Sequence, residues 1–319
     1  MAPALIAVGI SAAWCVLAQV LGPRLGFVDD PGRSDLTAHE RPAVPLGGVG
    51  VYLAVNIAPA LDGGGDMALL AASTIVLVLG LVDDRVGLPP LLRLVVELAA
   101  AVVLVLAGDI GDGDPLRTSM AVLVVVVAIN AVNLYDGLDG LAGLTSFVSA
   151  AACVALLAGQ GASVAVAWAL AGALAGFLLF NWHPARVFLG DSGAYVTGLV
   201  LAYLALQSGA GDLAGLFVWF SILGVMLIDL VASVIRRLRS RGALFEGDRN
   251  HLYDQLRRRG MTIPSVALVS AGTQVVLVVT VVVADRELGS WPALAVVAGV
   301  ALSVLALLAR GGLLTPAKT

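Results

Sequence analysis

The sequence predicts an all-α, polytopic membrane protein of about eleven transmembrane helices, forming one integral membrane domain over residues 1–319. Three observations predict this. Of the 319 residues, 60% are hydrophobic and only 13% charged, with mean hydropathy +0.99, whereas a soluble globular chain carries roughly a quarter charged residues. The charge deficit runs through nearly every long segment, so this is not a soluble domain with one anchor. Finally, apolar runs of roughly twenty residues, the length that crosses a bilayer, follow one another with short polar breaks.

Taken in order, the predicted spans are 3–22, 45–61, 67–82, 90–108, 118–135, 140–159, 163–182, 194–210, 213–234, 263–284 and 291–310. The first begins MAPALIAVGI without a basic leader segment, which predicts a retained helix rather than a cleaved signal peptide. The second is bounded by VPLGG and by the Gly-rich DGGGD at 62–66, and the fourth follows a Pro-Pro pair and ends at GDIGDGDP, 108–115. The remaining runs are rich in Ala, Val and Gly. Such helices are acceptable in lipid because helical backbone satisfies its own amides there. Cys15 and Cys153 each sit alone in an apolar run and read as packing residues. No internal repeat stands out.

Charge orients the spans. Of the 18 Lys and Arg residues, only Arg117 and Arg286 fall in the connections that also hold Asp62, Asp66, Asp109, Asp112, Asp114, Asp212, Asp285 and Glu287. The others fall on the opposite side. The positive-inside rule then predicts an outer N-terminus and a cytoplasmic C-terminus in a cytoplasmic (inner or plasma) membrane.

Four clusters of unusual polar residues all map to cytoplasmic helix ends, where acids near lipid are functional candidates by default. Asp83 and Asp84 end the third span, where carboxylates oppose the helix dipole and so suggest a cation or a proton as partner. In AINAVNLYDGLDGLAG, 128–143, residues Asn130, Asn133, Asp136 and Asp139 recur at spacing three, which predicts one helical stripe of oxygen donors suited to Mg²⁺. HPARVFLGDSGA, 183–194, places Asp191 in a Gly-Asp-Ser-Gly turn beside Phe188. The basic loop 236–260 embeds Asp248, His251 and Tyr253 among arginines able to hold phosphate. Acids for a metal and arginines for phosphate on one face meet the requirement of phosphoryl transfer. Residue chemistry alone names neither the sugar, the base nor the lipid.

Together the motifs VPLGGVGVY (44–52), LVDD (81–84), NAVNLYDGLDGLAG (130–143), FNWHPARVFLGDSGA (180–194) and GDRNHLYDQL (247–256) resemble the polyprenyl-phosphate N-acetylhexosamine-1-phosphate transferase superfamily, glycosyltransferase family 4. That group includes phospho-N-acetylmuramoyl-pentapeptide transferase and the UDP-GlcNAc:undecaprenyl-phosphate GlcNAc-1-phosphate transferases, and the likeness is closer to the latter. It implies transfer of N-acetylhexosamine-1-phosphate, GlcNAc-1-phosphate foremost, from a UDP-sugar to polyprenyl phosphate at a cytoplasmic cleft. UMP would be the second product, and the step would open a cell-envelope glycan pathway. It implies Mg²⁺, with Mn²⁺ as an alternative. Asp191 would be the foremost metal ligand, with Asn133 and Asp136 beside it. Asp83 and Asp84 would lie near the lipid phosphate, and Asp136 and His251 would join them as catalytic residues. Asp139 and Phe188 match uridine-contacting positions, the Phe ring stacking on uracil. With Lys318 the single lysine, Arg41, Arg93 and Arg186 stand in for the family's basic positions, and Arg249 lies in the last motif. The implied partners are a UDP-amino sugar, the polyprenyl lipid and the bilayer, with a homodimer allowed and no nucleic acid.

The chain departs from the family at His251-Leu252-Tyr253-Asp254, where relatives carry a cluster of histidines. This speaks against UDP-MurNAc-pentapeptide as donor and leaves other UDP-amino sugars open. A transporter or channel would place its acids near mid-membrane in broken helices. A catalytically inactive lipid-binding scaffold would have no need of the acids.

Overall fold

A computed structural model describes residues 1–29, 42–159, 163–207, 218, 221–240 and 250–311. Among them are twelve α-helices and no strand; two isolated bridges, Asp29 with Ala43 and Val44 with Val187, are the only extended pairings. The helices are α1 (Ala2–Leu25), α2 (Gly47–Leu61), α3 (Met67–Val86), α4 (Pro90–Ala107), α5 (Pro115–Tyr135), α6 (Leu141–Gly159), α7 (Ala165–Asn181), α8 (Gly190–Gln207), α9 (Gly224–Ser240, after a tight turn at Ser221–Leu223), α10 (Leu252–Arg258), α11 (Ile263–Leu288) and α12 (Ser290–Arg310). Seven of them (α1, α3, α4, α5, α6, α11 and α12) are long and apolar enough to cross a bilayer, while α2 and α7 are shorter apolar helices. The protein is a multi-pass, all-α membrane protein.

Local sequence explains the helix ends. Asp66 caps α3 by accepting from Leu69 N at 2.9 Å, Asp114 caps α5 through Leu116 N and Arg117 N at 2.8 and 3.0 Å, and Thr262 caps α11. Each is a short polar residue satisfying amides that have no helical partner.

The bundle is organised around α8, which is buried without a break from Ser192 to Ala205 and packs on α2, α3 and α5. α1 lies against α2 and α7, α6 joins α7 to α11, α9 packs on α5 and α11, and α12 lies mainly on α11, with Ala293 its one buried residue. α3 and α8 run antiparallel: Tyr203 near the end of α8 donates to Asp66 at the start of α3 (2.7 Å), while Asp84 at the end of α3 meets the start of α8. Glycines allow the close approach at this second end. A Cβ on Gly48 of α2 would stand 2.2 Å from Gly193 N, and one on Gly80 of α3 would stand 2.2 Å from Ser192 Cα. Cys15 and Cys153 are buried and unpaired.

Four expectations need correction. The stripe from Asn130 to Asp139 is broken, because α5 ends at Tyr135 and leaves Asp136 and Asp139 in the turn beyond it. Asp191 is not in a turn but in the first turn of α8, which begins four residues before the predicted 194 because Asp84 supplies acceptors to its free amides. The ninth helix runs to Ser240, not 234; its predicted start at 213 lies outside the described residues. Within the basic stretch, Leu252–Arg258 is a helix capped by His251 and Asp254, not a loop.

Candidate active site

The C-terminal ends of α3 and α5 and the N-terminal ends of α4 and α8 meet at one end of the bundle and bring Asp83, Asp84, Asn133, Asp136 and Asp191 together. Asp83 is 6% exposed. Its Oδ1 accepts from Leu88 N (2.7 Å), and its Oδ2 accepts from Tyr195 OH (2.8 Å) and from Arg93 Nη1 (3.1 Å). Asp84 Oδ1 accepts from Asp191 N at 2.8 Å and Oδ2 from Ser192 N at 3.4 Å, so it caps α8 from another helix. The dipole penalty for acids at the end of α3 is thereby offset by the positive end of α8. Gly190, at φ +72°, makes the junction: a Cβ there would be strained and would also meet Asp84 Oδ2 and Pro45 O, each at 2.8 Å.

Asn133 holds Asp191 from the side, Nδ2 donating to Oδ1 at 2.7 Å. One turn deeper, Asn130 Nδ2 donates to Glu97 Oε2 at 2.5 Å, and Glu97 is only 2% exposed. Burial, with Asp191 and Asp139 close by, pushes the Asp136 carboxyl up to about 7. Crowded acids of this kind favour a cation, which would restore the charged form.

Among the described residues no three Asp, Glu, His or Cys side chains close into a ready ligand cage. Mg²⁺ does not require one. It is commonly held by one or two carboxylates, with substrate phosphates and waters completing the shell. Hard oxygen donors, an excess of acids and Arg93 as the contacting cation fit that mode. Asp191, Asp136 and the Asn133 carbonyl oxygen are the groups that would serve.

The other predicted residues fall as follows. Asp139 Oδ2 takes His183 Nδ1 (2.7 Å) and Ala185 N (3.0 Å), pinning the 183–185 turn. Phe188 is half-buried, and its backbone is fixed on both sides: its N donates to Val44 O at 3.0 Å and its O accepts from Gly47 N at 2.9 Å. Arg186 does not join the acids; its guanidinium lies over the Phe180 ring (5.1 Å) and donates to Leu179 O (3.2 Å). Arg41 and Arg249 lie outside the described residues. His251 lies at the start of α10 beside Asp229 of α9, and Tyr253 reaches back to α5, its OH donating to Leu134 O at 3.2 Å over Gly137. Sequence reading missed Tyr195, Glu97 and Asp229. The last two are lone acids inside predicted apolar spans, the same signal that singled out Asp83.

The glycosyl transferase family 4 profile matches residues 67–209, the segment from α3 to just beyond α8. A Streptomyces coelicolor protein named as a glycosyltransferase is 34% identical over 316 residues, covering 94% of this chain and 74% of that relative. The decaprenyl-phosphate N-acetylglucosaminephosphotransferase of Mycobacterium tuberculosis is 33% identical over 300 residues, 79% of this chain and 74% of the relative. A Bacillus subtilis protein named for undecaprenyl-phosphate N-acetylglucosaminyl 1-phosphate transfer is 27% identical over 260 residues, 75% and 72% respectively.

Proposed function

Because this chain belongs to glycosyl transferase family 4, we propose that it transfers GlcNAc-1-phosphate from UDP-GlcNAc to a polyprenyl phosphate, releasing UMP. The observation that carries this reading is the convergence of Asp83, Asp84, Asp136 and Asp191 with Arg93 at one end of the bundle. The relatives named above for polyprenyl-phosphate N-acetylglucosamine-phosphate transfer support the substrate pair. The basic residues on that side of the sequence support a cytoplasmic site, an outer N-terminus and a cytoplasmic C-terminus.

Mg²⁺, held by Asp191 with Asp136 and Asn133, would neutralise diphosphate charge. Arg93, held beside Asp83, brings a fixed cation toward the phosphates. A phosphate monoester has its second pKa near ~6, so the lipid phosphate is largely a dianion at neutral pH and needs placing more than deprotonation. Its oxygen attacks the β-phosphorus of the UDP-sugar, and the bond to the α-phosphate oxygen breaks to leave UMP. The bonds that hold Asp83 to Leu88 N, Tyr195 and Arg93, and Asp84 to the start of α8, suit carboxylates that orient other groups and so support single displacement.

The test is turnover by purified protein. UDP-GlcNAc with polyprenyl phosphate should yield UMP and a lipid of the mass expected for polyprenyl-diphosphate-GlcNAc; no product across a panel of UDP-amino sugars removes the reading. Without lipid, the delipidated enzyme should neither release a burst of UMP nor exchange labelled UMP into UDP-GlcNAc. Exchange that Asp83→Asn abolishes would establish a covalent intermediate instead.

The nucleotide is assigned to Phe188 and Asp139, the two positions that match the family's uridine contacts. Stacking binds ground and transition states alike. Phe188→Ala should therefore raise KM for the UDP-sugar about tenfold, in line with roughly 1–3 kcal/mol per stacked base, and leave kcat within about threefold. An unchanged KM would make Phe188 a packing residue only.

A further inference from the structure

α4 carries Arg93 near its start, yet residues 90–96 include no buried side chain. The first buried residue of the helix is Glu97. Farther along, Ala100, Ala101, Leu104 and Val105 are also buried, and these are apolar contacts without direction. Glu97 is the exception. Its Oε2 accepts from Asn130 Nδ2 of α5 at 2.5 Å, and the same amide group donates to Val126 O at 2.9 Å, which fixes the Asn130 side chain. An acid two turns inside a membrane helix is costly to bury and marks a functional position by default.

Residues three or four apart share a helix face. Arg93 therefore stands one turn above Glu97 on α4, and Asn133 one turn above Asn130 on α5. Both reach the acids of the site: Arg93 Nη1 donates to Asp83 Oδ2 at 3.1 Å, and Asn133 Nδ2 donates to Asp191 Oδ1 at 2.7 Å. The Glu97–Asn130 bond joins the two helices directly beneath these contacts. We infer that Glu97 is a positioning residue for the transfer, locking α4 to α5 through Asn130 in the register that sets Arg93 at Asp83 and Asn133 at Asp191. This rests on the transferase reading above. No proton or group passes to Glu97, which acts only through Arg93 and Asn133. What the position requires is an acceptor oxygen at that depth, so the amide isostere serves as well as the acid.

Glu97→Gln keeps an acceptor for Asn130 and should hold kcat within about threefold of wild type. Glu97→Leu occupies similar space without an acceptor. It should lower kcat about 100-fold, the scale of a small misplacement of reacting groups, with KM for UDP-GlcNAc within about threefold. In Glu97→Leu/Asn130→Leu both polar partners are gone, a replacement that costs little stability. This double variant should melt no lower than wild type and still turn over about 100-fold more slowly. Register is read without turnover, from spin labels on Leu91→Cys of α4 and Leu123→Cys of α5 in lipid nanodiscs. Both positions are exposed, and the native Cys15 and Cys153 are buried. The distance distribution should be narrow in the otherwise wild-type protein and in Glu97→Gln, and broader in both Leu variants. Any of four results would overturn the inference: Glu97→Gln as slow as Glu97→Leu, kcat in the double variant within about threefold of wild type, a kcat loss that appears only with a lowered melting temperature, or one distance distribution throughout. No UMP from wild-type protein, with the labelled variants still differing, would instead sink the transferase reading and leave the α4–α5 register standing.

Discussion

Asp191→Asn should reduce UMP release at least about a thousandfold while leaving the protein folded and inserted. The side chain stands where α3, α5 and α8 meet, with Asn133 on Oδ1 and its own backbone amide on Asp84. An amide is a weak ligand for a hard cation that takes few protein groups, and its NH₂ can also meet the Asn133 NH₂ donor to donor. The loss is of the size seen when charge stabilisation of a phosphoryl or acyl transition state is removed. Steady-state UMP release, read beside the melting temperature, checks it. Near-normal turnover at ordinary Mg²⁺ would remove Asp191 from the metal site.

The second large effect is on assembly. Gly48→Val would place a Cβ 2.2 Å from Gly193 N and 2.3 Å from Gly193 Cα. These are backbone atoms of a buried helix and cannot rotate away, so α2 and α8 must separate. Overpacking of a tight core costs about 1–3 kcal/mol, and more where backbone must move. The expected outcome is a melting temperature lowered by several degrees and activity lost with it, because the displaced turn carries Asp191 and Ser192. Gly9→Val is the control: nothing lies within 4 Å of a Cβ there, and melting should not change. Equal melting of the two variants would show that the helices tolerate separation.

The apolar helices were legible because lipid imposes a one-residue-at-a-time rule: α1, α4 and α12 are read almost entirely from their Leu, Val and Ala runs. α8 was harder to place. Gly190-Asp191-Ser192-Gly193 looks like a turn until Asp84, 107 residues away in sequence, is seen to supply its cap. The acids of the site could be singled out because charge near lipid has few bland explanations. Their division of labour could not, since it depends on partners from other helices: Asp83 with Tyr195, Asp84 with the amides of α8, and Asp139 with His183. Arg186 shows the same limit. Its position in the motif suggests phosphate, whereas the Phe180 ring next to it holds its guanidinium. Asp229 escaped notice because one acid in a span of Val, Leu and Ile does not disturb the hydropathy of that span.

Ala293 is the one residue of α12 that the described parts of the protein bury; nine others are half-buried, Val296 and Val297 among them against α11, and eleven are exposed. For this helix the acyl chains are the larger share of its packing surface. Its tilt and depth are then set by bilayer thickness and by Trp291 and Arg310 at its ends, not by interdigitation with the bundle. Solubilisation therefore acts unevenly on the molecule. A detergent shell replaces most of what surrounds α12 and almost nothing of what surrounds α8, and the lipid composition chosen for reconstitution becomes part of the structure of the last helix.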